Sequence, residues 1–248
     1  MKRITRREAL KLGALAGGAF MLPIALQRIG SAVTAGSPQP TPFQVPLPIP
    51  PVLSAVRSDA TTDYYEIVMQ KAIAEILPGL TTEIWTYNGI SPGPTIVQRA
   101  NRQSVVRFIN DVGTPTSVHL HGMASLPQYD GYADDLIPVG YYKDYIYPNN
   151  RAASLWYHDH AIHETARNVY MGLAGMYLVL GDIELGLPLP KGEYDVPLII
   201  QDKVFANDGS LLFDDRGHTS LMGDVILVNG APWPRMEVAN RKYRFRLS

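Results

Sequence analysis

Four of the six histidines in this 248-residue chain fall in two His-x-His pairs, His119-Leu120-His121 and His158-Asp159-His160. A β-strand repeats every two residues, so each pair sends both imidazoles to one face. Two such strands side by side would aim four imidazoles at one point. Imidazole is a common ligand for copper, zinc, iron and nickel. The constellation therefore reads as half of a multi-metal site. A single His-x-His is weak, because a lone strand histidine is more often a hydrogen-bonded structural residue. Two pairs, both on expected strands, are much stronger.

The surrounding pattern supplies the strands. Tyr64–Met69 alternates weakly, and Glu83–Tyr87 runs into Asn88-Gly89, a strong turn signal. Pro92-Gly93-Pro94 breaks the chain before Thr95-Ile96-Val97. Ser104–Ile109 is expected as a strand buried on both faces at its centre, and Ser117–His121 follows the Gly113-Thr114-Pro115 turn. The turn-rich stretch Met123–Gly140 carries Asp130-Gly131 and Asp134-Asp135, and such long loops are often functional. Tyr141–Tyr147, Ser154–His158 and Gly175–Leu180 complete the series, with one or two helical turns within Ala161–Val169. Residues 54–182 thus hold roughly eight short strands, which predicts one antiparallel Greek-key sandwich in an all-β protein. Beyond residue 182 a second unit begins, with strands over Val196–Gln201, Val225–Gly230 and Tyr243–Ser248. Residues 183–248 hold too few strands to close a second sandwich, so the chain is expected to be part of a longer protein.

The ends and the composition narrow the class. Thr5-Arg6-Arg7-Glu8-Ala9-Leu10-Lys11, an apolar run from Leu12 to Leu26, and small residues up to Ala35 follow the order of a twin-arginine export signal over residues 1–35. Pro23 and the glycines argue against a membrane anchor. The mature protein is expected outside the cytoplasm, in the periplasm, on the cell surface or in the medium, without stable membrane insertion. Residues 36–53, with seven prolines between Pro38 and Pro51, read as an extended, solvated linker. A net charge of −1 argues against a nucleic-acid partner. The chain has no cysteine, which rules out disulfides, thiolate ligands and cysteine nucleophiles within it.

Two other metal readings stand beside copper. Four-histidine zinc is one, although structural zinc sites usually add cysteine. A cupin site is the other, but that pattern sets a glutamate soon after His-x-His, and Gly122-Met123-Ala124-Ser125-Leu126 offers no carboxylate.

Beyond the spacing, the residues themselves resemble a family. His119-Leu120-His121-Gly122 and Trp156-Tyr157-His158-Asp159-His160-Ala161 resemble the first two copper motifs of the multicopper oxidases. Tyr87-Asn88-Gly89, Pro92-Gly93-Pro94-Thr95-Ile96, Gly172-Leu173-Ala174-Gly175 and Leu227-Val228-Asn229-Gly230 support the match, which is nearest to the bacterial spore-coat laccases and bilirubin oxidases and spans about residues 60–248. The resemblance implies cupredoxin-like domains, with a first domain over residues 54–182 and the start of a second, truncated one over 183–248. It implies oxidation of phenols, aromatic amines, tetrapyrroles or metal ions at a mononuclear copper, and reduction of O2 to water at a trinuclear cluster. In that pattern His119 binds the type 2 copper, His121 and His158 bind one type 3 copper, and His160 binds the other. The remaining ligands, one a cysteine, belong to C-terminal domains of the same protein, so the chain by itself is expected not to turn over. Asp130 matches an acidic residue that the spore-coat laccases hold near the cluster as a proton relay; the plain alternative is that Asp130-Gly131 is a turn.

Other residues read more plainly. His163 is expected at the surface or behind a ligand, and His218 in a loop. Met123 and Met171 read as core filler, and Trp156 and Tyr157 as packing around the site. A second function class also fits: an exported, non-enzymatic cupredoxin-like scaffold. Retention of all four histidines argues against it.

Overall fold

The computed structural model describes residues 36–214 and 221–248. The export signal expected over residues 1–35 and the loop histidine His218 lie outside the described residues. The strands are β1 (Arg57–Ser58), β2 (Thr62–Ala74), β3 (Thr82–Tyr87), β4 (Gly93–Arg99), β5 (Gln103–Asp111), β6 (Val118–His121), β7 (Tyr142–Tyr147), β8 (Ala153–Asp159), β9 (Ala174–Leu180), β10 (Asp195–Leu198), β11 (Ile200–Lys203), β12 (Val225–Val228), β13 (Ala231–Pro232) and β14 (Arg244–Leu247). Two short helices, α1 (Thr165–Met171) and α2 (Asp182–Gly186), flank β9.

β1 to β9 build a two-layer sandwich. One sheet runs β1-β2-β5-β7, with β3 also paired to β2; the other runs β4-β9-β8-β6. Between them lies one apolar core, to which β2 gives Ile67 and Met69, β3 Tyr87, β5 Val106 and Phe108, β6 Val118 and Leu120, β7 Tyr145 and Tyr147, β8 Leu155 and Tyr157, and β9 Tyr177 and Val179. Each large side chain so buried contributes roughly 1.5–3 kcal/mol. The all-β, cupredoxin-like sandwich expected from the sequence is what forms.

Four details differ from expectation. The sandwich is mixed: β2 pairs with β5, and β4 with β9, in parallel. A half-buried strand alternates in the same way whether its neighbour runs with it or against it, so periodicity cannot separate the two. β5 is not buried on both faces at its centre; it alternates strictly, with Ser104, Val106, Phe108 and Asn110 inward. The strand expected over Val196–Gln201 is broken at Ile199. Its first half pairs with β14 in parallel, and its second half, as β11, pairs with β12 antiparallel.

The fourth difference is the proline-rich segment, which is extended but not simply solvated. The Phe43 N–H donates to Trp233 O (2.7 Å), Leu47 and Arg235 hydrogen-bond across the same edge, and Leu53 and Thr95 close the last contact through Thr95 O and Pro51 O. Proline lacks the N–H but keeps its carbonyl, and the Pro48 and Pro51 carbonyls are both used. Among the described residues no helix is long and apolar enough to cross a membrane.

Candidate metal centre

β6 and β8 are antiparallel neighbours, with His119 opposite His158 and His121 opposite Trp156. The ladder continues past β8, because His160 N–H donates to Ser117 O (2.7 Å). Alternation turns Val118, Leu120, Leu155 and Tyr157 into the core, so the histidines stand on the opposite face. Ring centroids of His119 lie 5.4 Å from His121, 5.4 Å from His158 and 5.1 Å from His160. All four imidazoles therefore meet at one place. His119, His121 and His158 each offer a ring nitrogen within 4.8 Å of the others.

Hydrogen bonds to carbonyls orient two of the rings. His119 Nδ1 donates to the main-chain oxygen of Asp130, and His158 Nδ1 to that of Asp159 (2.7 Å). In each case the Nε2 lone pair is left for a ligand. His158 Nε2 faces His121 Nδ1 across 3.5 Å. Among the described residues, the buried Nδ1 of His160 has no hydrogen-bond partner. Trp156 stacks on His158 at 4.0 Å between ring centroids, covering it from one side. Burial pulls His158 down to about 4, and the neighbouring imidazoles add to that shift. His160 is lowered for the same first reason. Both therefore stay neutral at physiological pH, the form that binds a metal.

Asp159, which the sequence reading passed over, ties the site together. It lies between the two histidines of its pair and so points to the other side of the strand, into the interior. Its carboxylate accepts N–H from Ser117 (3.3 Å), Ala161 (3.0 Å) and the Asn168 amide (3.0 Å), which joins the β6 entry, the turn after β8 and helix α1. Burial pushes it up to about 6, although those three donors favour the charged form. The available signal was its odd position in His-x-His, where only an inward group can sit.

Asp130 lies beside the site, and its closest contact is made by the backbone. Its carboxylate oxygen is 3.6 Å from His119 Nδ1, beyond a hydrogen bond, and its side chain is half exposed. His163 is exposed with φ +59° and makes none of the contacts of the four-ring cluster. Met123 is buried in the sandwich core, and Met171 packs against it.

Four clustered imidazoles, two of them oriented by main-chain carbonyls and with no thiolate or carboxylate among them, suit copper in both redox states better than a hard cation. The comparisons with known proteins agree. The multicopper oxidase family model matches residues 68–183. A bilirubin oxidase of Albifimbria verrucaria is 44% identical over 221 residues, covering 85% of this chain and 38% of that protein. The cell division protein FtsP of Escherichia coli is 31% identical over 247 residues, covering 98% of this chain and 49% of its own length. Among solved structures, a laccase from Pediococcus acidilactici superposes with a TM-score of 0.73 at 30% identity, covering 80% of this chain and 44% of that one. The chain spans less than half of the length of each of these relatives. Fold, histidine geometry and sequence agree, and the chain belongs, through residues 68–183, to the multicopper oxidase family.

Proposed function

We propose that this chain provides the first half of the copper ligands of a laccase-like oxidase. The whole protein would oxidise a small-molecule donor (a phenol, aromatic amine, tetrapyrrole or metal ion) and reduce O2 to water. The observation that carries the reading is the convergence of the imidazoles of His121, His158 and His160 on that of His119, each within 5.4 Å of it between ring centroids, from β6, β8 and the residue just past β8. His119, His121, His158 and His160 would hold copper, His119 as the type 2 ligand and the other three as type 3 ligands. When bound, copper supplies the one-electron steps between donor and O2.

The chain's own residues prepare that place. The Asp130 and Asp159 carbonyls fix two ring tautomers, and burial keeps His158 and His160 unprotonated. Trp156 keeps water from one side of His158. The half-exposed Asp130 carboxylate, 3.6 Å from His119, is placed to carry protons from solvent toward the oxygen being reduced. The rest of the ligands would come from further domains of the same protein, and export by the twin-arginine route would place it outside the cytoplasm.

The test uses the whole protein. In His158→Ala, anaerobic reduction of the blue band by donor is retained and reoxidation by air is lost. Reoxidation at the normal rate would contradict the assignment. The likeness to FtsP along 98% of the chain favours a second reading, an exported scaffold that does no redox chemistry. A whole protein that binds copper at these histidines yet takes up no oxygen with any of the four donor classes would support it.

A further inference from the structure

The loop from Met123 to Gly140 is bound at several points to the histidine strands and the segments that adjoin them. Thr116 and Ile137 exchange both main-chain hydrogen bonds, Ser117 Oγ donates to Tyr132 O (3.1 Å), and Ile162 N–H donates to Ala133 O (3.1 Å). At the centre of this seam the Asp130 carbonyl meets the His119 ring. The next residue, Gly131, has φ +75°, and a Cβ there would lie 2.2 Å from Val118 O and 2.7 Å from His119 Cα. Those are backbone atoms of β6, held in the ladder to β8, so they cannot swing aside as the end of a side chain could. The loop reaches the ring only because residue 131 has no side chain.

We propose that Gly131 is a positioning residue: through the Asp130 carbonyl it sets the tautomer and orientation of the His119 imidazole. The Asp130 side chain is not needed for this. The plain alternative, that Asp130-Gly131 is a surface turn, predicts a His119 tautomer indifferent to position 131. The metal-affinity consequence rests on the reading of His119 as a copper ligand; the tautomer itself does not.

The test is long-range 1H–15N correlation spectroscopy of the histidine rings in the metal-free full chain, followed by zinc titration as a redox-silent probe. In the unaltered protein His119 and His158 should both carry the proton on Nδ1. In Gly131→Ala, His119 should lose that single tautomer while His158 keeps it, and zinc affinity should fall about 10- to 100-fold, the usual effect of losing a ligand's orienting partner. In Asp130→Asn the His119 tautomer should be unchanged, with zinc affinity within about twofold, because the carbonyl remains. A retained Nδ1–H tautomer in Gly131→Ala, or its loss in Asp130→Asn, overturns the proposal. A changed tautomer with unchanged zinc affinity upholds the positioning role and overturns the ligand reading. If Gly131→Ala does not fold, glycolic acid at position 131 replaces the amide by an ester, which weakens the Asp130 carbonyl without adding a Cβ. An unchanged His119 tautomer there also overturns the proposal.

Discussion

The two faces of β8 are built by opposite rules. On the inward face Tyr157 fills a slot between two glycines: a Cβ at Gly175 would lie 2.2 Å from its ring and one at Gly93 2.6 Å from its hydroxyl. Its hydroxyl donates to Pro94 O (2.6 Å), and its ring packs on Tyr87 at 4.9 Å. On the outward face Trp156 stacks on His158, His158 Nε2 faces His121 Nδ1 of β6 across 3.5 Å, and His160 Nδ1 has no hydrogen-bond partner among the described residues. One face spends its residues on packing and hydrogen bonds that are satisfied within the fold. The other keeps lone pairs for something the fold does not contain. A strand can do both because neighbouring side chains point to opposite sides.

The sharpest way to break this contrast is to exchange the effects of the two faces. Tyr157→Ala should lower stability by about 3–5 kcal/mol, as for other large buried aromatic truncations, in urea denaturation of the full chain. His158→Ala, one residue away, should cost no more than about 1 kcal/mol while metal affinity falls at least tenfold. Equal stability losses would mean that the histidine face is structural as well.

This contrast was legible in the sequence, because His-x-His on a strand forces it. What could not be read is what the main chain does. The carbonyl of Asp130 has no sequence signature, and neither does the reason for Gly131, which depends on how closely a loop passes over β6. The parallel pairings of β2 with β5 and β4 with β9 share the alternation of antiparallel ones. The proline segment looked solvated because its missing N–H groups are visible in the sequence and its working carbonyls are not. Asp159 was hidden by its neighbours, since two histidines drew attention to the face it does not share.

A smaller effect tests whether burial of charge is confined to the histidine end. Lys203 on β11 is buried and caps helix α1 by donating to Tyr170 O. Burial lowers it from its ordinary value to about 7. Between that value and its unfolded value near 10.5 the unfolded chain binds the extra proton, so stability should rise with pH across that window, by at most about 1.4 kcal/mol per unit. Below pH 7 both states are charged and this contribution is flat. Lys203→Met should remove the slope in denaturation curves taken between pH 7 and 10; an unchanged slope assigns it to other groups.

The smallest expected change sharpens the role of Asp130. In the whole protein, Asp130→Asn should slow turnover most at high pH, where free protons are scarce, without emptying the copper sites. Steady-state rates unchanged across pH would leave Asp130 with its backbone role alone.

If the four imidazoles of His119, His121, His158 and His160 act together as one metal-binding face, a paramagnetic ion will report on all of them at once. The most direct measurement is copper titration of the full chain, followed by loss of histidine ring signals near the paramagnetic ion. These four should disappear together while His163 persists, and His158→Ala should weaken binding whereas His163→Ala should not. Copper that spares the four rings, or that binds as well without His158 as with it, would contradict a shared metal-binding face.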